Sequence, residues 1–464
     1  MRSEPRSRRD LLESAHPAFV NHLGNNSESR PSLPTKVLLT GTNRWPLPAR
    51  LAIALAKAGC EVSAVCPVPG HPLLKTHAVH GVFPYSSLRP LDSLAFAIEQ
   101  SDPQIVIPCD DLGVRHLHEL HARNLAGGST RERIASLIET SLGPPESFPI
   151  VSSRDRLIRI ALEEGIRVPT TRPISEGTSD FTSAEGEVPF PWVLKADGTW
   201  GGSGVRIAHN RQQAQQYFTD LTTMPSLAAI LKRMLLQQDR MKPLSWWHGS
   251  KPEVILQSHV QGRPANCAVA AWKGKVLAGI AVEVVLSEGK QGPAIIVRVV
   301  DSPQMMFAAE RIADRLQLSG LFGLDFMIED GTQDTYLIEM NPRCTPLCHL
   351  RLGQGRDMVG AMLEKLTGQA MPNQGTMPDT ENDLIAYFPQ AWMYPNPYLQ
   401  ASYQDIPKEE PELIEWLMRP RSGRSQLGRI FDSLRRIRGR EVISETCLFP
   451  DAVRESRMAQ APGL

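Results

Sequence analysis

Apolar positions change their period along the chain. From Lys36 the run KVLLT has the texture of a short buried strand. A Gly41-Thr42 turn follows, and then LPARLAIALAKAG, whose apolar residues recur at helical spacing up to Gly59. EVSAVCP reads as a second strand, LDSLAFAIEQSD as a helix and QIVIPCDD as a further strand. Strands that alternate with amphipathic helices predict a parallel sheet with helices on both faces, extending to about residue 150.

A second region opens with VSSRDRLIRIALEEG, a helix with Ser153 as its N-cap and Gly165 as its stop. The period then shortens to two. PWVLKADG, VRIAHN, EVILQSHVQG, NCAVAAWKGKVLAGIAVEVV and AIIVRVVD are β-rich and separated by Gly or Pro turns, as in an antiparallel sheet. The helical pattern PQMMFAAERIADRLQLSG comes next. GLFGLDFMIED and DTYLIEMN then read as a hairpin across Gly331. The expected organisation is a mobile tail over 1–35, a parallel-sheet domain over 36–150, an α+β domain over 151–370 and a C-terminal extension over 371–464. The extension is richer in Pro and polar residues and less regular.

Composition narrows the function classes. The 464 residues carry 50 basic and 50 acidic side chains, so the basic excess of a nucleic-acid binder is missing. No apolar run is long enough to cross a bilayer, and the charged N-terminal stretch has no apolar segment behind it. A cytoplasmic location is expected, with no nucleic acid and no membrane as partner. The seven cysteines are scattered; Cys344 and Cys348 lie four apart, but no second pair stands near them to complete a zinc site.

Two clusters carry chemistry. In Lys195-Ala-Asp-Gly198-Thr-Trp-Gly201-Gly202-Ser203-Gly204 a strand delivers a lysine into a glycine-rich loop. Such a loop lets several backbone N–H groups approach an anion while the lysine adds a point charge. The lysine precedes the glycines, which excludes a Walker A loop, and no helix follows directly, which excludes a dinucleotide fingerprint. A hairpin turn with a solvated lysine is the plain alternative. The second cluster is Asp325 with Glu339 and Asn341, on the two arms of the predicted hairpin. Glu339 and Asn341 share a face by their spacing of two. Two carboxylates and an amide are hard oxygen donors suited to Mg2+, and Arg343 adds a fork for phosphate or carboxylate.

Together the clusters resemble the ATP-grasp superfamily, in the order found in biotin carboxylase, D-alanine–D-alanine ligase and the carbamoyl-phosphate synthetase large chain. The likeness runs over roughly residues 36–368. It implies a pre-ATP-grasp Rossmann-like domain followed by a two-subdomain ATP-grasp fold, with a lid subdomain at about 190–260. It also implies ATP with Mg2+ (or Mn2+) as cofactors. By resemblance Arg156 and Lys195 contact the α- or β-phosphate, and Gly201, Gly202, Ser203 and Gly204 cover the β- and γ-phosphates. Gln257, Ser258, His259 and Val260 match the hinge that pairs with adenine; Asp325, Glu339 and Asn341 match the metal ligands. Lys195 and Arg343 match the phosphoryl-stabilising cations. The acid that often holds the ribose after the hinge glycine is replaced here by Arg263-Pro264-Ala265-Asn266.

The expected reaction is ATP-dependent activation of a small carboxylic acid as an acyl phosphate, for attack by an amine or thiol. A bicarbonate-activating enzyme and a non-catalytic ATP-binding protein are the alternatives. Arg298 is a candidate grip for a substrate carboxylate and Glu283 a neighbour of it. Asp110 and Asp111 are either helix caps or orient an amine, and His349 and Arg351 are candidates for facing the substrate. The arginine-rich stretch 419–440 reads as a solvated helix face or a contact for an anionic partner. A homo-oligomer remains open.

Overall fold

The computed structural model describes residues 34–125, 128–175, 178–197, 204–223, 253–289, 292–371, 376, 383–393 and 395–419. The expected N-terminal tail and most of the stretch 419–440 lie outside these residues. Near the start are four parallel strands, β1 (Lys36–Thr40), β2 (Glu61–Cys66), β3 (Gly81–Pro84) and β4 (Ile105–Pro108), in the order β3-β2-β1-β4. Their residues are apolar on both faces because both faces are covered. Val37 and Leu39 share a core with α1 (Leu47–Lys57). Leu38, Val65 and Val106 pack with α2 (Pro90–Ser101), α3 (Asp111–Asn124) and α4 (Ser129–Leu142). Strand β3 escapes the apolar pattern because its four residues lie half-exposed at a sheet edge. Strand order reverses between β1 and β4, so the carboxyl ends of these two strands flank the crevice where such sheets place ligands.

After α5 (Phe148–Val151), helix α6 (Arg154–Glu163) starts at Ser153, whose side chain accepts from the Arg156 N–H. The β-rich region then divides into two sheets rather than the single one its texture suggests. One is antiparallel, in the order β5-β8-β6-β7: β5 (Thr171–Ile174), β6 (Trp192–Ala196), β7 (Val205–Ala208) and β8 (Val254–Ser258). Trp192, Leu194 and Ala196 pack with α7 (Thr178–Ala184) and α8 (Arg211–Thr222). Alternation along β6 therefore turns Val193 and Lys195 to the other face.

The second sheet has seven strands. β9 (Gly262–Trp272), β10 (Lys275–Ser287), β11 (Ala294–Val299), β12 (Gly320–Glu329) and β13 (Thr335–Asn341) are joined by β14 (Leu384–Tyr387) and β15 (Tyr403–Asp405). The order is β13-β12-β9-β10-β11-β14-β15, antiparallel except for the β14–β15 pair. One face holds Cys267, Val269, Phe322 and Leu324 against α9 (Pro303–Leu316). The opposite face holds Ala268, Ile280 and Val297 against α1 and the segment carrying α10 (Met358–Thr367) and α11 (Pro411–Met418). From Thr35 onward the described residues form one compact unit, and none of their helices is long and apolar enough to cross a membrane.

Part of the C-terminal extension is thus regular. Leu384–Tyr387 is a fully buried strand, and Leu413, Ile414, Trp416 and Leu417 dock near α1. A buried ion group fixes the join. Asp405 accepts from Arg50 of α1 and lies 2.8 Å from His349 Nε2. Burial opposes ionisation of Asp405, but Arg50 and His349 together hold its pKa below the usual carboxylate range. Replacing Asp405 by Ala strands the Arg50 cation and should cost ~3–5 kcal/mol of unfolding free energy at pH 7. Because the folded-state pKa is depressed, this stabilisation is complete above the unfolded-state pKa and is lost as the pH falls through the folded-state value. The gap between wild type and Asp405→Ala in urea titrations should therefore close below about pH 4. A gap unchanged down to pH 3 would refute the ion-pair account.

Candidate active site

The two arms of the β12–β13 hairpin do not pair in simple register. Asp325 stands opposite Glu339 and Phe326 opposite Leu337, so Ile338 is an extra residue that forms a bulge. A bulge re-aims the side chains beyond it. Leu337 faces the α9 core with Phe326, whereas Glu339 and Asn341 turn to the other face with Asp325. Opposite Asn341 stands Gly323, where an added Cβ would come 2.6 Å from the Thr345 methyl. The predicted face of two carboxylates and an amide is therefore assembled, and the bulge assembles it.

Cations gather around this face. Lys195, 6% exposed at the end of β6, is drawn down to about 8 by burial, against the pull of Glu339 and Asp325. Arg343 is 7% exposed. Its Nη2 donates to Asn341 Oδ1 (3.0 Å), and Asn341 Nδ2 donates to Asp325 Oδ2 (3.0 Å). Arg343 also donates from Nε to Asp111 Oδ1 (3.0 Å), and its guanidinium lies 5.3 Å from the Trp45 ring centre.

The largest addition to the expected set is Arg154. Its Nε and Nη2 donate to Glu339 Oε2 at 2.9 and 2.8 Å, and its Nη1 reaches the Ala196 carbonyl (2.9 Å) and Asp197 Oδ1 (3.1 Å). One side chain from α6 thus joins the end of β6 to the carboxylate hairpin. Arg156, the expected phosphate contact, lies exposed on another side of α6. The helical period explains the difference. Leu157, Ile158 and Ala161 form the buried stripe of α6, and Arg154 continues it one turn back.

Other expected residues fall in several places. Gly204 is buried, and its carbonyl accepts from the Ala196 N–H (3.2 Å), while Gly201, Gly202 and Ser203 lie outside the described residues. The Gln257 amide donates to Thr171 Oγ1 (2.9 Å), the Ser258 N–H to Thr170 and the His259 N–H to Pro191. Among the described residues no hydrogen bond uses the backbone of Val260. Arg298 is not on the carboxylate face. It pairs in register with Glu283 and through it with Ala265, a row that faces the α9 side of the sheet, and its guanidinium is 4.0 Å from Glu283. The reading of Arg298 and Glu283 as pointing into the site is thereby corrected: strand alternation sends them to the opposite face. Asp110 is the buried N-cap of α3, accepting from Gly113 N–H (2.8 Å), whereas Asp111 reaches Arg343. His349 sits in the Asp405 ion group and Arg351 on Asp357 (2.7 Å).

The donor set fits a hard divalent cation. Asp325 and Glu339 are register partners, both half-buried. Burial and the neighbouring Glu339 push Asp325 up to about 7. Burial also opposes ionisation of Glu339, but Arg154 and Lys195 outweigh it and hold its pKa below the usual range. Among the described residues no three His, Cys, Asp or Glu side chains converge as a closed cage. Two carboxylates and an amide oxygen suit Mg2+, which completes its shell with water and phosphate oxygens.

Residues 157–346 match the family model described as an ATP-grasp domain. The chain is 25% identical over 281 residues to the carbamoyl phosphate synthase large chain of Mesorhizobium japonicum, covering 55% of this chain and 23% of the relative. It is 24% identical over 350 residues to the formate-dependent phosphoribosylglycinamide formyltransferase of a Synechococcus species, covering 74% and 78%. In fold it resembles the biotin carboxylase domain of 2-oxoglutarate carboxylase from Hydrogenobacter thermophilus, solved with MgADP, ADP and bicarbonate. That likeness has a TM-score of 0.51 and 15% identity, and covers 73% of this chain and 71% of the other.

Because the folded-state pKa of Asp325 is raised, the cation-free protein loses stability as pH climbs from the unfolded aspartate value through about 7. Asp325→Asn removes that penalty. At pH 8 in chelator the variant should melt a few degrees above wild type, and added Mg2+ or Mn2+ should raise the melting temperature of wild type only. A variant that melts lower than wild type at pH 8 would contradict the buried-repulsion account.

Proposed function

We propose that the chain uses ATP with Mg2+ (or Mn2+) to activate a small carboxylic acid as an acyl phosphate and delivers the acyl group to an amine or thiol, releasing ADP and phosphate. The observation that carries this reading is the half-buried Asp325–Glu339 pair with Lys195, Arg154 and Arg343 around it. A carboxylate resists attack because it repels nucleophiles and has no leaving group, and phosphorylation supplies one. Phosphoryl transfer needs alignment and neutralisation of charge on the transferred oxygens rather than covalent help from the protein.

Lys195 and Arg154 are suited to hold nucleotide phosphate oxygens, since both lie at the end of β6 where the glycine-rich loop begins. Arg154 takes the role first expected of Arg156. Arg343 is placed to hold the transferred phosphoryl group or the acyl phosphate through the N–H groups not spent on protein partners. Val260, whose backbone makes no hydrogen bond among the described residues, is assigned to the adenine edge. Asp325, Glu339 and Asn341 would hold the divalent cation, which supplies charge neutralisation at the phosphate oxygens. Gly201, Gly202, Ser203 and Gly204 are proposed to cover the β- and γ-phosphates and keep water from the acyl phosphate. Carboxylate activation is also consistent with the name of the formate-dependent relative, and one fold neighbour was solved with bicarbonate. The latter favours a second reading in which bicarbonate is the acid.

The test is an assay with MgATP, a panel of carboxylic acids including formate and bicarbonate, and hydroxylamine as trap. Hydroxamate with one organic acid supports the ligase reading, and ADP release with bicarbonate alone supports the second. Nucleotide binding without turnover across the panel overturns both. Within that assay Arg343→Ala should lower kcat by ~10²–10³-fold, the usual cost of losing one preorganised charge-stabilising group. Arg154→Ala should weaken MgATP binding by about tenfold or more in calorimetry, whereas Arg156→Ala should stay within about twofold, as expected for an exposed side chain with no role. Equal losses for the two arginines would reverse the assignment.

A further inference from the structure

Trp45 and Asp111 have no part in the chemistry above, yet both touch Arg343. Trp45 comes from the loop at the carboxyl end of β1 and Asp111 from the start of α3 just beyond β4, and these two strand ends flank the crevice of the parallel sheet. Asp111 accepts from Arg343 Nε at 3.0 Å, and the Trp45 ring lies 5.3 Å from the guanidinium carbon. Arg343 Nη1 donates to the Cys344 carbonyl (3.3 Å) and Nη2 to Asn341 Oδ1 (3.0 Å). Three of the five guanidinium N–H groups are thus committed to protein acceptors, and the plane of the group is set before any ligand arrives.

The loop that presents Trp45 is itself fixed along its length. The Thr42 N–H and hydroxyl donate to Asp110 (2.6 and 3.0 Å). The His71 ring bonds the Asn43 carbonyl (2.8 Å), Arg44 bonds the Pro69 carbonyl (3.2 and 3.0 Å), and the Trp45 N–H bonds Asn43 Oδ1 (3.1 Å). Asp110 is buried and caps α3 at Gly113, and there a side chain would come 2.9 Å from Thr40 Oγ1. This degree of fixing is more than a connecting loop needs. It suits a group whose position must be reproducible to a fraction of an ångström.

We propose that Asp111 and Trp45 are positioning residues of the reaction: through them the parallel-sheet domain sets the orientation of Arg343 toward the carboxylate hairpin. Asp111 fixes the rotation of the guanidinium through Nε, and Trp45 supports its face. The bland alternative is that Asp111 is only a favourable acid in the first turn of α3. This alternative predicts an effect on stability but none that depends on Arg343. The inference rests on the ligase reading, and its test is built to separate the two.

The test uses the full chain in the hydroxylamine assay, with the acid that yields hydroxamate. Asp111→Asn should lower kcat by ~10–100-fold while KM for MgATP changes by less than about twofold, the pattern of a misplaced catalytic group. Asp111→Glu and Trp45→Phe should recover most of what Asp111→Asn and Trp45→Ala lose. In an Arg343→Lys background, which removes Nε and its donor geometry, Asp111→Asn should cost less than about twofold more. Equal losses from Asp111→Asn in the two backgrounds would overturn the proposal, as would a fall in melting temperature and a rise in KM with no separate effect on kcat. A second readout needs no turnover. The Nε–H resonance of Arg343, assigned by its loss in Arg343→Lys, should move in Asp111→Asn, and an unmoved resonance overturns the pairing. Wild type that forms no hydroxamate with any acid refutes the ligase reading instead, and leaves the resonance to decide whether Asp111 holds Arg343.

Discussion

Two half-buried carboxylates facing each other across the β12–β13 hairpin form the constraint around which the molecule is arranged. Asp325 and Glu339 repel where water screens them only in part, and cations nearby ease that repulsion. The chain brings those cations from separate elements: Arg154 from α6, Lys195 from β6 and Arg343 from the segment after β13. Each of these elements must pack correctly for the hairpin to be tolerable. The electrostatic strain at the centre thus gives the sheets, the parallel domain and α6 a common reason to meet at one place.

The supports of this cluster extend well beyond it. Ile338 bulges so that apolar Leu337 and charged Glu339 can occupy opposite faces of the same strand, a separation that a regular ladder would forbid. On the far side the extension continues the sheet through β14 and β15, and its buried Asp405 ties back to Arg50 in α1. Helix α1 follows directly on the loop that carries Trp45. Residues far from the carboxylates therefore bear on how firmly the parallel domain holds its loops against Arg343.

How much of this was legible in the sequence depends on the range of the interaction. Period-two spacing displayed Glu339 and Asn341 on one face, and the hairpin turn at Gly331 brought Asp325 alongside, because these are local relations. The lysine at the end of β6 was legible for the same reason. Arg154 was readable in principle, since it continues the stripe of Leu157, Ile158 and Ala161, but family likeness drew attention to Arg156 two residues on. Asp111 was not assignable, because its partner Arg343 lies 232 residues away and no pattern near Asp111 distinguishes it from its capping neighbour Asp110. Arg298 was misplaced because its strand register, not its spacing, decides which face it takes. The division of the β-rich region into two sheets was hidden for the same cause: strand pairing is a long-range choice.

The pairing of Arg154 with Glu339 has a consequence for how the cluster works. Counting the groups in contact, Arg154, Lys195 and Arg343 give three positive charges, and Asp325, Glu339, Asp197 and Asp111 give four negative ones if all are ionised. The raised pKa of Asp325 relieves that single excess by favouring its protonated form. A divalent cation bound there would favour loss of the Asp325 proton and would compete with Arg154 for Glu339. If the proposed function holds, triphosphate oxygens would compete with Glu339 for the donors of Arg154. Cation and nucleotide would then favour each other's binding by exchanging partners at Glu339.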